Sequence, residues 1–259
     1  MNQPVRGAQA VTRAIALLKR FDDRHSTWRL SALAQAAGLH KATAHRLLAA
    51  LEREGMLARD LRRADLYRLG PEALALGARA QRASDIAAAS HPELEVLADA
   101  TGESVTLEVP VWPDMLIVDE VLGPRLVGAL PSIGTRWPAH ATSTGKAILA
   151  TLGADAAAKA VGRRLRRLGP RTIVDHAALA RELAEARRRG WAVAMDELEA
   201  GFAAVGAVVR AGNGKVAGAI SAGGPSERLA HPKRLASLGG QVRLAAARIS
   251  ETLGWAALP

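Results

Sequence analysis

The chain has 259 residues, room for a small domain of about 70 residues and a larger one of about 170, each able to bury its own core. It has no cysteine, which excludes disulfides, thiol catalysis and cysteine zinc sites and fits a reducing cytoplasm. No stretch approaches the roughly 18 uninterrupted apolar residues of a membrane span, and Met1-Asn-Gln-Pro does not open a signal peptide. The net charge of +10 is unevenly placed: residues 1–70 hold 13 Lys and Arg against 6 Asp and Glu, while residues 71–259 hold 22 against 19.

The first predicted element is a helix over about 8–21, with Ala10, Ala14, Leu17, Leu18 and Phe21 on one stripe. A second follows in Ser31-Ala-Leu-Ala-Gln-Ala-Ala-Gly38, where Ser31 suits a helix cap and Gly38 a left-handed stop. A third, about 40–54, places Ala44, Leu47, Leu48 and Leu51 behind and leaves Lys41, Thr43, His45 and Arg46 toward its N-terminal front. A helix that enters the major groove needs that division of faces, although an ordinary amphipathic helix hairpin has it too. Two short strands, 56–60 and 66–70, then flank a basic turn, which reads as a wing. Arg62 and Arg63 at its tip have no apolar face to serve, so phosphate or minor-groove contact explains them better than a merely solvated turn. The positive charge lies where this reading element lies.

Residues 71–84 read as a helix with proline in its first turn and Leu74, Ala75 and Ala78 grouped together, a linker over 71–90 stiff enough to transmit rotation. A helix at about 92–101 opens the larger domain, followed by strands at 104–109, 115–121 and 125–130, helices at 144–152, 155–161 and 175–190, strands at 192–196, 203–209 and 216–222, and a closing helix at 232–253. The fold class is α+β, with a mostly antiparallel sheet flanked by helices in this domain. The alanine tracts carry no functional reading. Trp112, Trp137 and Trp191 are among the aromatic residues of this domain.

A ligand site can be argued at His140-Ala-Thr-Ser-Thr-Gly-Lys146, which ends a loop and opens a helix. Thr142, Ser143 and Thr144 there serve as caps, as donors to a small carboxylate at the positive helix end, or as both. Ser143-Thr-Gly-Lys146 is formally a Ser-x-x-Lys pair, but the Ser-Asp-Asn and Lys-Thr-Gly companions of acyl-transfer enzymes are absent, and Ala147 and His140 spoil a phosphate loop. His40 and His45 are five apart, off the spacing that lets two helical side chains reach one ion, so neither a metal nor a cofactor is expected.

Residues 8–70 resemble the winged helix-turn-helix of IclR-type bacterial transcriptional regulators. The run from Trp137 to Ala150 resembles that family's signature segment, Gly190-Trp-Ala-Val with Asp196-Glu-Leu-Glu-Ala-Gly201 its second block, and Gly218-Ala-Ile-Ser-Ala-Gly-Gly-Pro225 its third. The resemblance implies a regulator rather than an enzyme, cytoplasmic, with DNA binding in 1–70 and a GAF-like effector-binding and oligomerisation domain in 91–259. It implies a homodimer formed with help from the first helix, or a pair of dimers, on double-stranded operator DNA. Lys41, Thr43, His45 and Arg46 are the expected base and nearby phosphate contacts, and Arg13, Ser31, Arg62 and Arg63 the expected backbone contacts.

For the effector, the family's contacting positions map onto Trp137, Ser143 and Thr144, with Phe202, Ala204, Ser221 and Gly223 across the pocket. Trp137 and Phe202 serve equally well as core packing, so a regulator whose second domain only oligomerises stays open. The chain departs from the family at Ala194, where an acidic residue is common. The loss of that polar contact favours a larger, flatter effector, an aromatic acid or related aromatic catabolite, over a very small hydroxy- or keto-acid.

Overall fold

A computed structural model of the protein describes residues 8–22, 25–124 and 132–255, so the strand expected at 125–130 lies outside the described residues. The chain divides into two compact units, residues 1–83 and 84–259. No helix among the described residues is long and apolar enough to cross a membrane.

In the first unit, α1 (Ala8–Leu18), α2 (Leu30–Ala36) and α3 (Lys41–Arg53) meet through Leu17, Leu33 and Leu48. The wing strands β2 (Leu57–Arg59) and β3 (Leu66–Leu69) add Leu57 and Tyr67 to the same core. Each such side chain removed from water contributes about 1.5–3 kcal/mol, which is why the helical spacing of these residues foretold the packing. A third strand, β1 (Thr27–Arg29), pairs antiparallel with β3 and gives the sheet order β1-β3-β2. Because the chain passes from β1 directly into α2, the N-cap is Arg29, with extended backbone and no side-chain hydrogen bond. The expected cap, Ser31, instead lies exposed in the first turn. Gly38 does take the left-handed conformation, φ 65°, at the turn between α2 and α3.

After the wing, α4 (Pro71–Arg82) has proline at its start and no fully buried residue. The next helix, α5 (Asp85–Thr101), begins well before the expected position 92, because Ser84 caps it by accepting from the Ala87 N–H and Pro92 is accommodated inside it.

The second unit is built on one six-stranded antiparallel sheet, order β6-β5-β4-β9-β8-β7, from β4 (Ser104–Val111), β5 (Asp114–Val121), β6 (Arg136–Pro138), β7 (Ala192–Met195), β8 (Phe202–Arg210) and β9 (Val216–Pro225). Alternation along the strands gives the sheet two faces. Val105, Leu107, Val205, Ala207, Ile220 and Ala222 pack against α5 and the long α10 (Pro232–Thr252), which a short α9 (Ser226–Leu229) precedes. The opposite face meets α6 (Ser143–Leu149), α7 (Ala154–Val161) and α8 (His176–Arg189). Asp175 caps α8 by accepting from the Ala178 N–H, and Gly190 ends it at φ 80°.

The approach of α6 to the sheet depends on a missing side chain. A Cβ at Gly206 of β8 would fall 2.7 Å from the backbone of Ser143 and Thr144, so only glycine lets this helix start lie directly on the strand. That contact fixes where the hydroxyl-rich segment sits.

Candidate functional site

The first unit presents the front of α3 as expected. Ala44 and Leu48 are buried against the core, while Lys41, His45 and Arg46 are exposed and Thr43 is half-buried. Arg13 is half-buried on α1, and Ser31 is exposed at the start of α2.

The wing tip is organised by Asp60, whose carboxylate accepts the backbone N–H groups of Arg62 and Arg63 at 3.0 Å each. This turn leaves the Arg62 side chain exposed, whereas Arg63 lies 3.6 Å from Asp65, which Arg29 engages more closely at 2.8 Å. The bond from Arg29 holds the Asp65 carboxyl below the usual carboxylate range.

Arg59, not singled out from sequence, is structural. It bonds Glu52 at 2.9 Å, donates to the Tyr67 hydroxyl at 2.6 Å and lies 3.8 Å over the Tyr67 ring. The Glu52 bond raises its pKa further. The wing is thereby tied to α3, and its free positive charge moves to the tip.

In the second unit, a cavity of about 240 Å³ opens on the α6 side of the sheet. Trp137, Ser143, Phe202, Ala204, Ser221 and Gly223 line it, together with Ala194. Trp137 reaches it from β6, a three-residue edge strand too short to show a period in sequence. Phe202 stands where β8 begins, after the 196–201 turn. There Asp196 takes φ 54° and accepts the Gly201 N–H at 2.9 Å. Gly223 leaves room for the Phe202 ring, since a Cβ there would fall 2.7 Å from its tip.

Thr144 is the exception among the expected effector contacts. It is fully buried and does not line the cavity, and its hydroxyl donates to Glu108 at 2.7 Å. The helix start binds back on itself as well, because Thr142 caps α6 by accepting the Gly145 N–H at 3.0 Å.

Sequence reading missed the polar floor of this cavity. Ser104, Thr106 and Glu108 alternate along β4 and all three line it; that period-2 run inside an apolar strand is the signal that could have found them. Glu108 is 5% exposed and accepts from Thr106 at 3.1 Å as well as from Thr144. Burial pushes its carboxyl up to about 6, against the pull of those two hydroxyl bonds. Thr106 is 2.8 Å from Ser221, its register partner on β9. At the rim, Glu120 accepts from the Ser132 backbone N–H at 2.7 Å and from its hydroxyl at 2.8 Å, and Glu199 stands exposed.

Behind the cavity Lys146 of α6 is 1% exposed and bonds Glu197, 9% exposed, at 2.5 Å. Burial pushes the Glu197 carboxyl up, although the ammonium opposes it. Lys146 therefore faces Glu197 and makes no hydrogen bond with Ser143 among the described residues, so the formal Ser-x-x-Lys pair lacks the nucleophile-to-base contact that acyl transfer needs. His140 is likewise buried, its ring 3.0 Å from the Arg166 carbonyl, and burial lowers its pKa.

The comparisons with known proteins agree with this arrangement. Residues 10–61 match the IclR helix-turn-helix domain, and residues 78–251 match the bacterial transcriptional regulator IclR C-terminal domain. The chain is 29% identical to the transcriptional repressor IclR of Escherichia coli over 95% of its own length and 90% of that protein. A solved IclR-type regulator from Silicibacter sp. superposes with a TM-score of 0.83 at 28% identity, over 96% of this chain and 98% of that one. An IclR homologue from Microbacterium hydrocarbonoxydans, solved in complex with 4-hydroxybenzoate, gives 0.76 at 26% identity over 94% and 98%. With a family model spanning the greater part of its length and the reading helix, wing and cavity in place, the chain belongs to the IclR family of bacterial transcriptional regulators and is not an enzyme.

Proposed function

We propose that this regulator is ligand-responsive. It binds operator DNA in the cytoplasm as a homodimer, alone or paired into a tetramer, and senses a small aromatic acid or a related aromatic catabolite. DNA reading belongs to residues 1–70 and effector binding to residues 91–259, with 71–90 as the linker. Lys41, Thr43, His45 and Arg46 reach base edges and nearby phosphates in the major groove, and Arg13, Ser31, Arg62 and Arg63 hold the backbone, which gives two half-sites per dimer. The apolar side chains exposed on α1, Val11 and Ile15, and on α4, Leu74 and Leu76, are surfaces for a second copy of the chain.

One observation favours sensing over a second unit that only oligomerises: the cavity that Trp137 and Phe202 both line is open rather than filled by side chains of the described residues. At about 240 Å³ it lies below the range of roughly 300–1,000 Å³ for drug-sized ligands. It suits a single ring, and the 4-hydroxybenzoate held by the Microbacterium hydrocarbonoxydans homologue is of that size class. Trp137, Ser143, Phe202, Ala204, Ser221 and Gly223 contact this ligand, with Thr144 acting through Glu108.

Binding changes operator affinity only as far as the ligand prefers one arrangement of the dimer over another. A thermal-shift screen against aliphatic and aromatic compounds, each hit repeated in a mobility-shift assay on the DNA upstream of the protein's own gene, tests the proposal. A compound that raises the melting temperature and alters DNA affinity supports it. DNA binding with no hit supports the oligomerisation-only alternative.

A further inference from the structure

The hydroxyl network on the cavity floor restricts the chemistry of whatever binds there, an inference that rests on the sensing role proposed above. Each hydroxyl has one proton to donate. Thr106 and Thr144 both direct theirs at Glu108, and with the Thr106 proton committed, Ser221 donates to Thr106 across the 2.8 Å contact. The floor is therefore rich in acceptors: an ionised carboxylate has about four lone-pair sites, of which two are occupied here.

Among the described residues no Lys or Arg lines the cavity, while Glu108, Glu120 and Glu199 do, so an ionised carboxylate entering it meets like charge. Ser143 supplies the complementary feature. It is 2% exposed, lines the cavity and has no hydrogen-bond partner among the described residues, so its proton is available to an incoming acceptor.

A ligand that satisfies both groups must donate to Glu108 and accept from Ser143. A hydroxyl does both, an ammonium group cannot accept, and a carboxylate cannot donate. We propose that, within the aromatic class proposed above, the effector is a neutral hydroxyl compound rather than an acid, a phenol or benzylic alcohol whose O–H donates to Glu108 and whose ring packs against Trp137 and Phe202. Specificity then comes from Glu108, since a buried acceptor facing a ligand that lacks a donor is left unpaired.

Calorimetry on the full chain with benzyl alcohol, benzoate and benzylamine, probes of similar size that differ in the polar group, tests this. The expected result is that benzyl alcohol binds at least about tenfold tighter than either of the others, and that Glu108→Gln reduces its advantage over benzoate by a similar factor. Ser143→Ala, which should weaken benzyl alcohol severalfold, covers the case in which Glu108→Gln does not fold. Benzoate binding as tightly as benzyl alcohol, benzylamine binding tightest, or an unchanged preference in a cooperatively melting Glu108→Gln would each overturn the hydroxyl assignment and leave ligand sensing intact. Binding of none of the three would overturn both.

Discussion

On the DNA-reading unit Lys41, His45, Arg46 and Arg62 stand exposed with side chains that have no partner among the described residues. In the second unit Glu108, Thr106 and Ser221 on the cavity wall and Thr144, buried beside Glu108, are bonded to one another. The difference follows from solvation. A hydrated surface cation costs little to leave unpaired and remains free to displace counterions from a phosphate, whereas a buried polar group must find a partner or be strongly destabilising. In the proposed function, the first unit therefore offers its affinity for DNA as loose charge on a helix, and the second its ligand selectivity as a closed network with a few open positions.

The largest effect should come from the buried end of this comparison. Lys146→Met leaves the Glu197 carboxylate without its ammonium, and breaking a buried pair in this way costs about 3–5 kcal/mol, read as a lower urea midpoint. Adding Glu197→Leu should recover most of that loss. If the single variant unfolds at the wild-type midpoint, Lys146 is not holding a charge in the interior.

At the exposed end, Arg46→Ala should cost about 1–3 kcal/mol in binding at the cognate operator if the side chain reads a base. Titration of cognate and random duplexes separates the roles, because an equal loss on both assigns Arg46 to phosphate.

Glu108 provides a pH test of the interior. Its folded value of about 6 lies above the ordinary 4.5, so folding favours the protonated form. Below pH 4.5 the carboxyl is protonated in both states and costs nothing; as pH rises through 6 that stability is lost, by about 2 kcal/mol once ionisation is complete. Glu108→Gln should remove this contribution, so the stability difference between variant and wild type changes by about that amount between pH 4.5 and 7.5. A difference that stays flat across the range would mean that the carboxyl is well solvated.

The smallest effect is expected at the wing. Arg62→Ala should leave stability unchanged and weaken operator and random DNA alike, lowering the salt slope of log K by about 1. A sequence-selective loss would place Arg62 in the minor groove as a reader.

The sequence made the surface of the first unit legible because each helix there carries its own period: Leu33, Ala34 and Ala37 on one, Ala44, Leu48 and Leu51 on the next, with basic residues off the stripe. Part of the cavity wall could be read too, since Trp137, Ser143, Ser221 and Gly223 fall in contiguous blocks. Glu108 escaped because it sits in a strand whose neighbours are apolar, and its meaning depends on Thr144, 36 residues away. β1 and β6 escaped because three residues cannot show alternation, and the start of α5 because a proline inside a helix reads like a proline at its beginning. The hydroxyl of Thr144 was visible as a candidate, but its direction was not; burial under the sheet turned it toward Glu108 and away from the cavity.

The most direct test of the whole account joins the two units: titrate the operator with the protein, with and without saturating benzyl alcohol, under conditions in which calorimetry confirms that the cavity is filled. Coupling between a cavity and a reading helix predicts a change in operator affinity of at least about fivefold in either direction. An operator affinity that stays the same while the ligand is fully bound would contradict it, leaving a DNA-binding protein whose cavity does not control its DNA.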